Sequence, residues 1–183
     1  MELPTIVKLI ADLLKQWDTF RPTHKHFRPG IGPFGEPQLV RKLLGDLMNQ
    51  RSHSVRTLRH PDLLMDDEWA LEFKIARPYG DNGKVAENWS VNLLHPYEGN
   101  TSAIGDAIGL MRMPFQKKAV IVIGYEHEPG STKRIGLDPL LKSFELIATN
   151  VTNLRLGKRI EQVRENLVHP EHQVLRCIAW QIF

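Results

Sequence analysis

The chemistry-bearing residue types crowd into one stretch, Pro61-Asp62-Leu63-Leu64-Met65-Asp66-Asp67-Glu68-Trp69-Ala70-Leu71-Glu72-Phe73-Lys74. Glu68 to Ile75 alternates as a strand does. Trp69, Leu71, Phe73 and Ile75 fall on one face, and Glu68, Ala70, Glu72 and Lys74 on the other. The apolar face is core, so Glu72 and Lys74, two apart, leave the same outward face. Alone they form a surface ion pair worth little. Asp62, one hairpin earlier, adds a second carboxylate, and two carboxylates supply hard oxygen ligands for Mg²⁺. An ion so held lowers the pKa of a bound water and stabilises charge building on a phosphate. Lys74 could orient or deprotonate that water and offset transition-state charge. The carbonyl of Phe73, between the two, could add a further ligand.

Whether Asp62 joins the pair depends on register. With a two-residue loop, Asp66-Asp67, Asp62 faces Leu71 and points to the wrong side. A three-residue loop, Asp66 to Glu68, sets Asp62 opposite Glu72; a bulge or a splayed strand end would also serve. Asp66 or Asp67 could itself be a ligand, although a tight turn suits both as solvated hairpin residues.

The elements around this stretch follow from periodicity. A helix is expected from Pro4 to Phe20, with Ile6, Leu9, Ile10, Leu13, Leu14 and Trp17 on one face. A Gly- and Pro-punctuated loop covers Arg21 to Gly35. Pro37 opens a second helix with Leu39, Val40, Leu43, Leu44 and Leu47 inside. Ser54 to Arg59 and Asp62 to Met65 read as strands, and Arg77 to Gly99 as a long segment with a short strand near Trp89 to Leu94. A third helix opens at Thr101 or Ser102 and buries Ile104, Ala107, Ile108 and Met111. Ala119 to Tyr125 reads as a strand buried on both sides. Asp138-Pro139 caps a fourth helix whose core face is Leu140, Leu141, Phe144 and Ile147. A charged helix is expected over Lys158 to Asn166 and a final strand over Val174 to Phe183.

Pro61-Asp62 followed by Glu72-Phe73-Lys74 resembles the signature of the PD-(D/E)XK, or restriction-endonuclease-like, nuclease superfamily. The resemblance covers roughly the middle half of the chain, Pro37 to Tyr125, where the expected elements follow the family's order of helix, three-stranded antiparallel sheet, helix and strand. It implies an α/β fold with a restriction-endonuclease-like core, a mixed and mainly antiparallel central sheet flanked by helices. One domain then spans 1–183: an N-terminal helix at 4–20, a core at about 36–125, and C-terminal helices with a final strand at 138–183. The implied activity is divalent-metal-dependent hydrolysis of phosphodiester bonds, as a DNA endonuclease of restriction, repair or defence type. The implied cofactor is Mg²⁺, with Mn²⁺ able to substitute. By resemblance Asp62 and Glu72 bind metal, Lys74 assists the water, and Glu36 completes the site or holds a second ion. A glutamate in a first helical turn is also favoured by the helix dipole alone.

Other residues offer nucleic-acid contacts. Arg77 and Lys84 could meet phosphates, Trp89 could stack on a base, and His95 and Glu98 could reach the site from a loop before the third helix. The run Gly30-Ile31-Gly32-Pro33-Phe34-Gly35 could present amides to a phosphate or be a plain connection. His24 and His26 read as surface histidines, and Lys117-Lys118 as guards of a buried strand. Arg155, Lys158, Arg159 and Arg164, interleaved with Glu161 and Glu165, read as a salt-bridged face. Trp17, Trp69 and Trp180 read as core.

Composition bounds these readings. In 183 residues, 24 Lys and Arg against 21 Asp and Glu give a net charge of +3, which permits a nucleic-acid partner without arguing for one. One cysteine, Cys177, excludes an internal disulfide and a thiolate cage. No apolar run approaches the roughly 20 residues of a membrane span, and the start lacks a secretory pattern, so the expectation is a cytoplasmic protein. A nuclease cutting both strands often works as a homodimer, and no interface signal stands out. Two rival functions are a non-catalytic nucleic-acid-binding or interaction module on the same fold, and a hydrolase of another phosphate ester. The second lacks a Gly-rich nucleotide loop.

Overall fold

The computed structural model describes residues 1–49, 53–86, 89–96 and 102–183, and gives Arg41, Lys42, Leu43, Asp46 and Leu47 as backbone alone. The expected core side chains Leu43 and Leu47, and the loop residues Glu98 and Thr101, therefore lie outside the described set.

Helix α1 (Leu3–Thr19) has Pro4 in its first turn and buries Leu3, Ile6, Val7, Ile10, Ala11, Leu13 and Leu14 at helical spacing. Next comes a helical stretch wound as π-helix over Pro37–Leu44 and as α over Gly45–Asn49, the latter α2. Strands β1 (Val55–Thr57), β2 (Leu63–Met65) and β3 (Trp69–Ala76) form an antiparallel meander. The short α3 (Val91–Leu94) and α4 (Ala103–Met111) lead into β4 (Lys117–Glu126), which runs parallel to β3. Helix α5 (Asp138–Asn150), β5 (Ile160–Arg164) and β6 (Val174–Gln181) complete the chain. The six strands lie in the order β1-β2-β3-β4-β6-β5, every neighbouring pair except β3–β4 antiparallel. This is an α/β fold with a mixed, mainly antiparallel sheet flanked by helices. Among the described residues no helix is long and apolar enough to cross a membrane.

Alternation along the central strands splits the core in two. Leu71, Phe73, Ile121, Ile123 and Tyr125 pack with α1 and the π-helical stretch. Ala70, Ala76, Val120 and Val122 pack with α4 and α5. A helix layer therefore covers each face of the sheet, which matters for the residues of β3 that were expected to point into water.

Several expected elements change. Lys158 to Asn166 is not a helix: Ile160–Arg164 is the edge strand β5, paired to β6. Its charges are taken up across elements, Glu161 by Arg176 at 2.5 Å and Arg164 by Asp12 of α1 at 2.6 Å. The free edge of β6 needs backbone partners, and that demand overrides a pattern that reads equally as a salt-bridged helix. Trp89 to Leu94 is not a strand; α3 covers Val91–Leu94, and Trp89 and Leu93, four apart, reach the same apolar cluster. In α4, Leu110 is buried and Met111 is exposed. Leu137 occupies the N-cap of α5, and Asp138 instead binds Arg176 at 2.8 Å. Trp69 and Trp180 are buried, while Trp17 is half-buried with its ring edge-on to Phe34.

The loop before the π-helical stretch is held from below by Asp18, fully buried at the end of α1. Its carboxylate accepts the Ile31 amide at 3.0 Å and the Val168 amide at 2.7 Å. Asp18→Ala leaves one buried and one half-buried amide unsatisfied, and chemical denaturation should register a loss of about 1–3 kcal/mol. A loss below about 0.5 kcal/mol would show that the staple is dispensable.

Candidate active site

The hairpin decides the site. Leu63 pairs with Leu71, Leu64 with Ala70 and Met65 with Trp69, so the loop is the three residues Asp66, Asp67 and Glu68. Continuing that register sets Asp62 opposite Glu72. Asp66 and Asp67 have φ of 51° and 53°, a left-handed conformation that short polar side chains tolerate. Asp66 accepts the Ser54 amide at 2.9 Å and Asp67 pairs with Arg56. Both acids are therefore committed to the turn.

The ladder between β2 and β3 stops at Leu71, which would leave the Phe73 amide without a strand partner. Asp62 Oδ2 accepts that amide at 2.9 Å. The carboxylate stands where a neighbouring carbonyl would be, beside Glu72. From the sheet, Lys74 sends its ammonium to Asp106 Oδ2 at 2.6 Å, to Glu36 Oε1 at 3.3 Å and to the Phe73 carbonyl at 3.1 Å. His60 Nδ1 lies 3.2 Å from Glu72 Oε1, its side chain 59% exposed at the mouth of the cluster.

The face carrying Glu72 and Lys74 is not outward. Asp62, Glu72 and Lys74 are 3%, 2% and 7% exposed, because α4 packs over that side of β3 and β4. Asp106, which sequence reasoning missed, comes from α4. Its signal was a lone acid on the buried stripe formed by Ala103, Ala107 and Leu110. His60 was missed as well, although it directly precedes Pro61-Asp62.

The proposed nucleic-acid contacts do not join the cluster. Arg77 lies just past the end of β3, and its guanidinium donates to the carbonyls of Gly32 and Phe34, away from the partners of Lys74. Lys84 is exposed in the turn after Tyr79, where its carbonyl accepts the Gly80 amide at 2.9 Å. Trp89 is half-buried and packs on the apolar cluster beneath α4 and α5. The His95 carbonyl accepts the Ser102 hydroxyl at 2.6 Å, tying it to the start of α4. Gly30 and Gly32 serve packing: a Cβ on either would lie 2.8 Å from His169 or 2.2 Å from His172. Lys117 pairs with Glu68 at 2.5 Å, and Lys118 donates to the Met111 carbonyl at 3.2 Å. Arg159 pairs with Glu145 at 3.4 Å.

The electrostatics are those of crowded, buried acids. Burial pushes the Glu72 carboxyl up, the Asp62 carboxylate adds to this, and it stands at about 9. Burial also raises Glu36 and Asp106, and Lys74 only partly offsets this. Burial acts to lower Lys74, but Glu36, Asp106 and Asp62 together hold it above its ordinary value. While those acids surround it, Lys74 is a donor and not a base.

The donor chemistry fits a hard divalent cation: the acids Glu36, Asp62, Glu72 and Asp106 outnumber the single ammonium, and oxygen ligands suit Mg²⁺ or Mn²⁺. Among the described residues no three acid or imidazole groups stand as a ready-made cage, since Lys74 separates Glu36 from Asp106. Comparisons with protein-family models, curated proteins and solved structures find no match to this chain.

A carboxyl raised in the fold keeps its proton there, so Glu72 favours the folded chain below its ordinary value of 4.5 and loses that contribution as pH climbs to about 9. Acids held low, such as Glu126, act below this window. Melting temperature in EDTA should therefore fall as pH rises through the window, and Mg²⁺ should restore more at its alkaline end. Glu72→Gln should flatten both trends. Unchanged trends in that variant would refute the assignment of the raised carboxyl.

Proposed function

We propose that the chain is a divalent-metal-dependent nuclease that hydrolyses phosphodiester bonds, acting on DNA as an endonuclease. The observation that carries this reading is the gathering of Glu36, Asp62, Glu72 and Asp106 around one ammonium, Lys74, at the edge where β2 ends. The order helix, three antiparallel strands, helix, parallel strand supports a restriction-endonuclease-like core, in line with Pro61-Asp62 and Glu72-Phe73-Lys74.

Mg²⁺ or Mn²⁺, when bound, would lower the pKa of a coordinated water and offset charge on the phosphate. Asp62 and Glu72 would hold it, with the Phe73 carbonyl released from Lys74 as a further oxygen and Glu36 or Asp106 completing the set. Glu72 would lose its proton to solvent on taking a ligand role. Lys74, if freed from part of its acid shell, would direct its donors to the attacking water and to the transition-state oxygens. His60, at the mouth of the cluster, meets whatever enters from solvent.

One observation favours a second reading. The 2.6 Å contact between Lys74 and Asp106 lets the cluster neutralise part of its own charge, as a non-catalytic nucleic-acid-binding module would need.

Incubation of plasmid DNA with the purified chain in Mg²⁺, Mn²⁺ or EDTA separates the two. The nuclease reading expects cutting in either metal and none in EDTA. Lys74→Ala and Glu72→Gln should each slow cutting by about 10²–10⁴-fold. Because both positions are buried, circular dichroism must show the fold retained. Wild-type rates in both folded variants would sink the mechanism. Salt-dependent binding without turnover in any divalent metal would establish the module instead.

A further inference from the structure

Beyond the C-terminal end of β3 the chain builds a concavity unrelated to the acid cluster. It encloses about 510 Å³ between His26, Phe27 and Pro33 on one side and Asp81 and Ala86 on the other, with Arg77 in its wall. That size falls within the roughly 300–1,000 Å³ of small-molecule sites.

Arg77 is the unusual member. Its Nη1 donates to the Gly32 and Phe34 carbonyls, which leaves Nε and Nη2 without a partner among the described residues. No acid among those residues pairs with its charge, although the guanidinium is half-buried. A cation withdrawn from water without a counter-ion is costly, and an anionic ligand removes that cost. Asp81 in the same wall does not compensate it: its Oδ1 is taken by His169 Nε2 at 2.7 Å and by the Arg28 amide at 2.9 Å.

The rest of the wall suits an aromatic heterocycle. Phe27 presents a partly exposed ring, flanked by His26 at 4.7 Å between centroids and by His24 at 5.9 Å. The surrounding sequence is basic: from Phe20 to Gly35 there are Arg21, Lys25 and Arg28 and no acid. Anionic recognition on one side of the cavity and stacking on the other match one nucleotide.

Along the chain, the cavity wall lies close to residues of the proposed reaction centre. Arg77 follows Lys74 by three residues, about 10 Å along a strand. Pro33, in the wall, precedes Glu36 by three residues of the same loop. Lys74 reaches Asp106 of α4, while Arg77, just past β3, reaches the Gly32–Phe34 loop, so a nucleic-acid strand touching both would cross the edge that β2 vacates after Leu71.

We infer that this cavity receives one unpaired nucleotide of the strand being cut, with its phosphate on the Arg77 guanidinium and its base against Phe27. This inference rests on the nuclease reading for the word cut and on the cavity alone for the binding. A cavity of this size takes one base out of its stack, so single strands bind better than duplex.

Fluorescence anisotropy in EDTA reads binding without cleavage. The probe is a fluorescein-labelled oligothymidine, compared with the same strand in duplex and with free AMP as competitor. The expected result is a Kd weakened about tenfold by Arg77→Gln, and comparably by Ala86→Phe, which fills the cavity without removing a charge. Phe27→Ala, which removes a ring lying against His24 and His26, gives a third variant should Arg77→Gln disturb the loop it holds. Affinities within twofold of wild type in Ala86→Phe and Phe27→Ala would overturn the assignment. Equal affinity for duplex would overturn the single-strand claim. Competition by AMP as strong as by the oligonucleotide would overturn the strand as its source. The two readings fail separately. Lost binding in the variants with no turnover in any metal keeps the cavity and removes the nuclease; unaffected binding with metal-dependent cutting does the reverse.

Discussion

Burying carboxylates is unfavourable unless something answers their charge, and this fold gathers Glu36, Asp62, Glu72 and Asp106 around a single ammonium. Each acid arrives on a different element: the loop before the π-helical stretch, the start of β2, β3 itself, and α4. The cluster therefore exists only when all four elements are docked. Its internal balance is incomplete, which is why burial leaves Glu36, Glu72 and Asp106 raised, while the surrounding acids keep Lys74 charged against its own burial. Surplus oxygen donors and a shortage of cations suit a divalent ion, and this is what supports the nuclease proposal.

The neighbouring loops are organised to hold that arrangement still. Asp18 ties the Gly-rich loop to α1 and to the segment before β6, and Arg77 ties the same loop to the end of β3. His169 and His172 stack at 4.4 Å against Gly30 and Gly32, where any side chain would collide. Burial keeps both imidazoles below their ordinary range, so this packing is between neutral rings. The loop that carries Glu36 is thus fixed by buried polar bonds at three points. Such support keeps a carboxylate within reach of its partners without depending on the flexible side chain alone.

The six-stranded sheet also explains why the site has a way in. Strand β2 covers only three residues, so β3 continues past it with an open edge. Asp62 satisfies the first amide of that edge, and His60 lies exposed beside it. The buried acids are thus reached along the sheet's edge, with both of its faces already covered by helices.

Periodicity alone determined much of the fold. Clean 3.6-residue stripes marked α1 and α5, and the two-residue alternation of Trp69 to Ile75 and the apolar run Ala119 to Tyr125 marked β3 and β4, because these elements bury apolar faces that local spacing displays. The acid-acid-lysine set was legible for the same reason: Glu72 and Lys74 share a face whatever the rest of the chain does. Register, burial and the remaining partners were not legible. A two- or three-residue loop fits Asp66 to Glu68 equally well until β2 docks, and only the docked pairing brings Asp62 to Glu72. Asp106 and His60 joined through contacts across 32 and 12 residues of chain, Asp106 to Lys74 and His60 to Glu72. The charged run at Ile160–Arg164 became a strand because β6 needed an edge partner. Local spacing encodes which face a side chain takes; which groups meet above that face is set by packing between distant segments, and only the tertiary structure decides it.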